Sequence, residues 1–216
     1  MSRWNIAAAQ YARQHHNLDD HVEHHLRFID EAARQACNLL VFPELSLTGP
    51  DETALPAPPD DVQLAPLLHA AHSRNITVIA GLTLLQQGQR LKGLALFTPH
   101  LDTIRRYPQG SGASLIPGDK RLTIVDAQSD SPNIDPQATL FTSCQAVGES
   151  RWRQSVNTLQ RFAHKYAIAV LMANARGGSA LWDERGQLIV GADKGELLLT
   201  GSLGRQGWQG DIIPLG

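Results

Sequence analysis

Hydrophobic and polar positions in the first hundred residues follow two periodicities in turn. A short apolar run over residues 6–10 precedes apolar residues at helical spacing behind a predicted Asn17/Asp19 cap, and a second apolar run covers residues 38–42. Spacings of three and four residues predict an amphipathic helix, and short continuous runs predict buried strands. The order predicts a β-α-β unit with two parallel neighbouring strands.

The same alternation continues along the chain. A Pro-rich loop over residues 50–59 leads into a second predicted helix, and a third helix is predicted from the spacing between Trp152 and Tyr166. Further strand-like segments lie at residues 76–84, 91–97, 103–107, 122–125, 139–143, 168–172, 180–182, 187–190 and 196–200. These elements favour an α/β fold, with two helix-covered sheets or one large one.

Composition restricts the class of protein further. With 216 residues, of which 42% are hydrophobic, the chain is expected to form one domain over residues 1–216, with a shortened or irregular segment at about 108–150. The net charge is -2 and no basic run occurs, which disfavours nucleic acid or an anionic membrane surface as the main partner. No apolar run reaches the roughly 18 residues that a membrane helix needs.

The two cysteines and the N-terminal residues bear on the cellular compartment in which the protein is expected. Cys37 and Cys144 stand in unrelated contexts without a CxxC motif, and the first residues lack the pattern of a secretory signal. We therefore expect two reduced thiols rather than a disulfide, in a cytoplasmic protein.

Five of the nine histidines crowd the first predicted helix: His15, His16, His21, His24 and His25. The two at positions 21 and 25 are four apart and could bind a metal together if a third ligand came from elsewhere. No cysteine or carboxylate is placed to complete the set. We therefore expect a solvated flank beside the apolar stripe, and no metal site.

Glu44 is the most informative candidate for chemistry. A predicted buried strand ends on Pro43, which cannot donate to a sheet ladder, and the carboxylate follows at once. Ligands of α/β proteins bind at the carboxyl ends of strands, and a half-buried glutamate there must be paired, protonated or catalytic. A carboxylate that merely caps the following turn is the alternative.

Segments in one continuous order carry a family resemblance. They are residues 6–10 (IAAAQ), 36–38 (ACN), 42–49 (FPELSLTG), 76–81 (ITVIAG), 106–107 (RY), 117–118 (PG), 170–174 (VLMAN) and 179–186 (SALWDERG). In these segments the sequence resembles the nitrilase, or carbon-nitrogen hydrolase, superfamily, and most of all its amidase-like members.

The resemblance implies a four-layer αββα sandwich that assembles into homodimers or larger homo-oligomers. It also implies chemistry without a metal or a cofactor, in which a cysteine thiolate attacks a nitrile or amide carbon. A glutamate serves as general base, and a lysine stabilises the tetrahedral intermediate. A thiol needs a base to become a thiolate at neutral pH, and the developing oxyanion needs a nearby cation.

Only the glutamate of that triad carries over cleanly, to Glu44 as general base. The family's lysine follows a tyrosine by two residues, and here the residue two positions after Tyr107 is Gln109. Glutamine can donate a hydrogen bond but brings no charge.

Two alignments compete for the nucleophile. In the first, residues 122–125 form the strand before the nucleophile, and Asp126 takes its place, which leaves no thiol. In the second, residues 139–143 form that strand and Cys144 is the nucleophile, only eight positions before Trp152. We favour the first, because the segment that ends near Cys144 also fits the family's later strand and loop.

Three functions from different classes follow. The first is a catalytically silent relative that binds a small amide, nitrile or carboxylic acid, or that acts in assembly. The second is an active amide hydrolase with Cys144 as nucleophile and Glu44 as base, in which Gln109, Lys92 or Lys120 replaces the usual cation. The third is a metal-binding module on the histidine-rich helix. Loss of the oxyanion's cation alone would cost a factor of about 100 to 1,000 in rate, which favours the first.

The resemblance also predicts the state of association. An apolar face left by a shortened middle segment would be buried against a second copy of the chain. Light scattering at micromolar concentration should therefore report at least twice 23.6 kDa. A strict monomer would contradict this expectation.

Overall fold

A computed structural model describes residues 4–11, 17–49, 54–110, 120–123 and 134–215. The helices are α1 (Leu18–Arg34), α2 (Asp61–Arg74) and α3 (Glu149–Tyr166). The strands of the first half are β1 (Asn5–Gln10), β2 (Leu39–Val41), β3 (Thr77–Gln86), β4 (Gln89–Phe97), β5 (Arg105–Pro108) and β6 (Leu122–Thr123). Those of the second half are β7 (Leu140–Gln145), β8 (Ala169–Asn174), β9 (Ala180–Trp182), β10 (Leu188–Gly191), β11 (Leu197–Gly204) and β12 (Gly207–Pro214).

These strands form two sheets. The seven-stranded sheet has the order β12-β11-β1-β2-β3-β4-β5, and the five-stranded sheet has the order β10-β9-β8-β7-β6. β1, β2 and β3 are parallel neighbours, which confirms the predicted β-α-β unit. β6, β7 and β8 are likewise parallel in the second sheet.

Three hydrophobic clusters separate four layers. The first packs α1 and α2 on the outer face of the seven-stranded sheet, through residues such as Phe28, Leu64 and Phe42. The second lies between the sheets, and the third packs α3 on the five-stranded sheet through Leu159 and Phe162. Side chains alternate between the faces of each strand, so every central strand contributes to two of these clusters. The αββα sandwich is confirmed.

The histidines of α1 contradict the expectation of a solvated flank. His21, His24 and His25 are 5%, 3% and 0% exposed and share the buried face of the helix. Uncharged imidazole rings can pack as flat, partly apolar groups, and the His25 ring stacks on Phe42 with centroids 3.9 Å apart. The described residues contain no group of three metal-ligating side chains, and the histidines at positions 15 and 16 lie outside them.

Two sheet elements were missed and one segment stays untested. The hairpin between β3 and β4 turns at Gln87 and Gly88, both with positive φ, and β12 pairs with β11 over eight residue pairs. Glycines and an aspartate interrupt the apolar pattern of β12, which hid this strand. Of the irregular middle segment, residues 111–119 and 124–133 lie outside the described residues. No helix within the described ranges is long and apolar enough to cross a membrane.

Gly81 in β3 lies directly beneath the loop that follows β2. A Cβ atom there would press against the backbone of Leu45 and come within 2.6 Å of the Pro43 carbonyl oxygen. Gly81→Ala should therefore lower the free energy of unfolding by about 1–3 kcal/mol, because packed backbone cannot move aside. Urea denaturation measures this change.

Gly191→Ala is the matched control, because a Cβ at that position meets Leu188 only at 3.6 Å. That substitution should change the free energy of unfolding by no more than about 1 kcal/mol. Equal effects of the two substitutions would contradict the close approach at Gly81.

Candidate functional site

The loop that carries Glu44 is hydrogen-bonded to strands of both sheets. Leu47 N–H donates to the carbonyl of Gly81 in β3 at 2.9 Å, and Glu44 N–H donates to the carbonyl of Gln145 in β7 at 3.3 Å. Leu45 takes a left-handed conformation with φ 53°, which turns the chain back over the sheet. Backbone hydrogen bonds thus fix Glu44 at the junction between the two sheets.

Helix α1 supports this loop from behind. The Nδ1 atom of His25 lies 2.7 Å from the carbonyl oxygen of His21, and its Nε2 atom lies 3.0 Å from Ser46 Oγ. A carbonyl only accepts, so Nδ1 carries a proton and donates to it, while Nε2 forms the hydrogen bond with the Ser46 hydroxyl. Sequence reasoning missed this support. The helical spacing of the histidines was its one signal.

The carboxylate of Glu44 is paired on both oxygens. Lys92 Nζ lies 2.6 Å from Oε1, and Gln109 Nε2 donates to Oε2 at 2.9 Å. The Glu44 side chain is 18% exposed, so it is half-buried, and the ammonium compensates its charge. These contacts differ from those of a turn cap, which was the alternative from the sequence.

Lys92 and Gln109 are neighbours across two antiparallel strands. Gln109 N–H donates to the carbonyl of Lys92 at 3.0 Å, directly after the β4–β5 ladder ends. The positive charge that is missing at position 109 is therefore present one strand away, in β4. The other candidate cation, Lys120, lies 3.5 Å from Asp135 instead.

Cys144 lies near the end of β7 and faces the core between the sheets. Its residue is 5% exposed, and it belongs to the same cluster as Leu140. Burial raises the pKa of the Cys144 thiol, and the nearby Glu44 carboxylate raises that pKa further. The thiol is consequently neutral at physiological pH. Both cysteines are free, as expected.

One cavity of about 270 Å³ joins the predicted residues. Glu44, Gln109 and Cys144 all line it, with Lys92 beside them. The carbonyl of Cys144 also accepts a hydrogen bond from Gln109 Nε2 at 3.2 Å. Polar side chains of α3 complete the described lining: Arg151, Ser155 and Thr158. The arrangement can bind a small polar molecule between two cations (Lys92 and Arg151), two amide groups (Gln109 and Gln145) and hydroxyls.

The strand order bears on the two alignments. Only residues 146–148 separate β7 from α3, so no helix or strand intervenes between Cys144 and the helix that contains Trp152. β6 precedes β7 as its parallel neighbour. The first alignment requires this order, although its nucleophile position, Asp126, lies outside the described residues.

Comparison with known proteins supports the family. The sequence model of the carbon-nitrogen hydrolase family matches residues 5–107, a range that includes Glu44 and ends before Gln109 and Cys144. XC1258 from Xanthomonas campestris, a CN-hydrolase superfamily protein with an arsenic adduct in its active site, superposes with a TM-score of 0.78 at 15% identity. That alignment covers 95% of this chain and 92% of XC1258.

Two further solved structures share the fold. Saccharomyces cerevisiae Nit3, of the nitrilase superfamily, gives a TM-score of 0.73 at 14% identity, covering 95% of this chain and 91% of Nit3. An amidase from Nesterenkonia sp. gives 0.71 at 18% identity, covering 93% and 90%. The family match over residues 5–107 and this shared fold together support a member of the carbon-nitrogen hydrolase, or nitrilase, superfamily.

Proposed function

We propose that this chain is a catalytically silent member of the superfamily that binds a small amide or carboxylic acid in the Glu44 cavity. The observation that carries the proposal is the state of Cys144. The sequence contains two cysteines, and Cys37 precedes β2 whereas Glu44 follows it, at the other end of the strand. Any cysteine nucleophile would have to be Cys144, and its thiol is buried and neutral.

The contacts of Glu44 support the same conclusion. A general base must be within hydrogen-bond reach of the proton that it removes. Both carboxylate oxygens are instead engaged, by Lys92 and by Gln109, and no hydrogen bond joins Glu44 to the Cys144 thiol in the described part of the chain. A carboxylate held in this way binds and orients rather than deprotonates.

The cavity suits a ligand with few heavy atoms. Its volume of about 270 Å³ lies near the lower end of small-molecule sites, and its lining offers an ammonium, amide groups and hydroxyls. Mutants of the amidase from Nesterenkonia sp. AN1 have been solved in complex with acrylamide and with butyramide. Amides of that size are therefore the first ligands to test.

One observation favours an active amide hydrolase as the second candidate. The ammonium of Lys92 lies 2.6 Å from Glu44 and lines the same cavity as Cys144, so it could supply the charge that Gln109 lacks. In that case Glu44 would take the thiol proton, Cys144 would attack the amide carbon, and Lys92 would stabilise the oxyanion.

Alkylation of Cys144 after Glu44→Gln separates the two candidates, because they predict opposite changes. If Glu44 is only a neighbouring charge, its removal lowers the pKa of the thiol, and Cys144 should react with iodoacetamide at least as fast as in the wild type. If Glu44 is the base, labelling should slow. Mass spectrometry of the two cysteine peptides at pH 7.5 measures the rates, and Cys37 is the internal control for intact folding.

Ammonia release tests turnover directly. We expect none above background from acetamide, butyramide and a panel of nitriles. Ammonia release that disappears in Cys144→Ala would overturn the silent assignment. Calorimetry should nevertheless detect binding of acetamide and butyramide to the wild-type protein.

The buried thiol also predicts a dependence of stability on pH. Because the pKa of Cys144 is raised in the folded state, its contribution is fully present below the unfolded pKa of about 8.5 and declines as pH rises above that value. In reducing buffer, the free energy of unfolding of the wild type relative to Cys144→Ala should therefore fall between pH 7 and pH 10. A difference that is constant with pH would contradict the burial of a neutral thiol.

A further inference from the structure

A second cavity adjoins the Glu44 cavity. Its volume is about 560 Å³, and Val147, which lines the first cavity, lines this one too. Trp152, Gly177, Gly178 and Ala192 form much of the remaining wall. The short segment between β7 and α3 therefore borders two neighbouring cavities of different character, one polar and one largely apolar.

Two buried amide side chains fix the walls of the second cavity. Asn174, at the end of β8, accepts from Val147 N–H at 2.9 Å and donates to the carbonyls of Val147 at 3.0 Å and Gly177 at 2.7 Å. Gln10, at the end of β1, donates to the carbonyl of Asp193 at 2.7 Å and accepts from Ser179 N–H at 2.9 Å. Both side chains are fully buried, so these loops are ordered before any ligand binds.

Two glycines bring one of these loops against the indole of Trp152. Gly177 and Gly178 have φ values of 99° and 77°, a region that other residues rarely adopt. A Cβ on Gly178 would lie 2.8 Å from Trp152 Cδ1, and the carbonyl of Gly178 accepts a hydrogen bond from Trp152 Nε1 at 3.1 Å. The hydrogen bond and the close glycine thus hold the indole in the wall of the cavity.

The charges around the second cavity cancel. Arg176 and Lys194 are matched by Glu149 and Asp193, and Lys194 forms an ion pair with Glu149. A charged ligand group would therefore gain little net attraction here. The valine, alanine and indole surfaces instead suit a neutral aromatic group, because offset or edge contact between aromatic rings is favourable.

We propose that the two cavities form one site for a ligand with two parts. Its amide or carboxylic acid group lies beside Glu44, Lys92 and Gln109, and its neutral aromatic group lies beyond Val147 against Trp152. The polar half rests on the proposed function. The aromatic half rests only on the second cavity.

Three probes test the proposal by calorimetry and by the indole N–H signals in ¹⁵N NMR spectra: acetamide, 2-phenylacetamide and benzyl alcohol. We expect 2-phenylacetamide to bind at least 10-fold more tightly than acetamide and to shift the Trp152 indole signal, which is assigned by its loss in Trp152→Leu. Ala192→Leu, which narrows the second cavity, should weaken 2-phenylacetamide at least 5-fold and leave acetamide unchanged. Equal affinities of the two amides would overturn the proposal.

Benzyl alcohol, the third probe, distinguishes a failure of this proposal from a failure of the proposed function. If acetamide does not bind, the polar half fails, and benzyl alcohol then tests the aromatic half alone. A shift of the Trp152 indole signal that is lost in Ala192→Leu would support the second cavity, and no shift would refute it. If Ala192→Leu unfolds the protein, as signal dispersion would show, Trp152→Leu replaces it, and unchanged affinity for 2-phenylacetamide would count against the proposal.

Discussion

The half-buried carboxylate of Glu44 needs a compensating cation, and much of the site follows from how this need is met. Lys92 in β4 provides the ammonium at 2.6 Å, and Gln109, its neighbour across the antiparallel pair, holds the second oxygen. The same carboxylate raises the pKa of the buried Cys144 thiol. One charge therefore organises the cavity and also opposes formation of a thiolate. The presence of Glu44 and Cys144 in one cavity does not by itself make a catalytic pair, since the protonation of each depends on what surrounds it.

Local pattern was enough to predict the alternation of strands and helices, but it left open one sheet or two, and the four-layer sandwich followed from the family resemblance. The β-α-β unit, the Asn17 cap and the position of Glu44 at a strand end follow from apolar periodicity and from a proline that ends a ladder. The role of Lys92 could not be read from its own segment, because the register of β4 against β5 decides which side chains meet. That register is a property of the paired strands and their turns rather than of either strand alone.

The histidines of α1 show a second limit of pattern reasoning. Because histidine was treated as a polar residue, the sequence predicted that these side chains lie in solvent beside the apolar stripe. Two of them meet specific groups: the His25 ring meets Ser46, and the His24 ring meets Glu196 and, edge-on, the ring of Tyr11. Such partners come from loops and strands distant in sequence. Helical spacing predicts the face on which the histidines lie, but only tertiary packing decides whether that face is exposed to solvent.

Preorganisation connects the candidate site with its neighbouring cavity. Burying an amide side chain costs free energy unless its donors and acceptors find partners, and the hydrogen bonds of Asn174 and Gln10 to loop backbone meet that requirement. The same hydrogen bonds hold Val147, Gly177 and Ser179 in place, so the loops that line the second cavity are ordered without a ligand. A ligand that enters such a site loses less binding free energy to the ordering of loops. Because these hydrogen bonds do not involve the Cys144 thiol, ligand binding does not depend on whether a thiolate forms there.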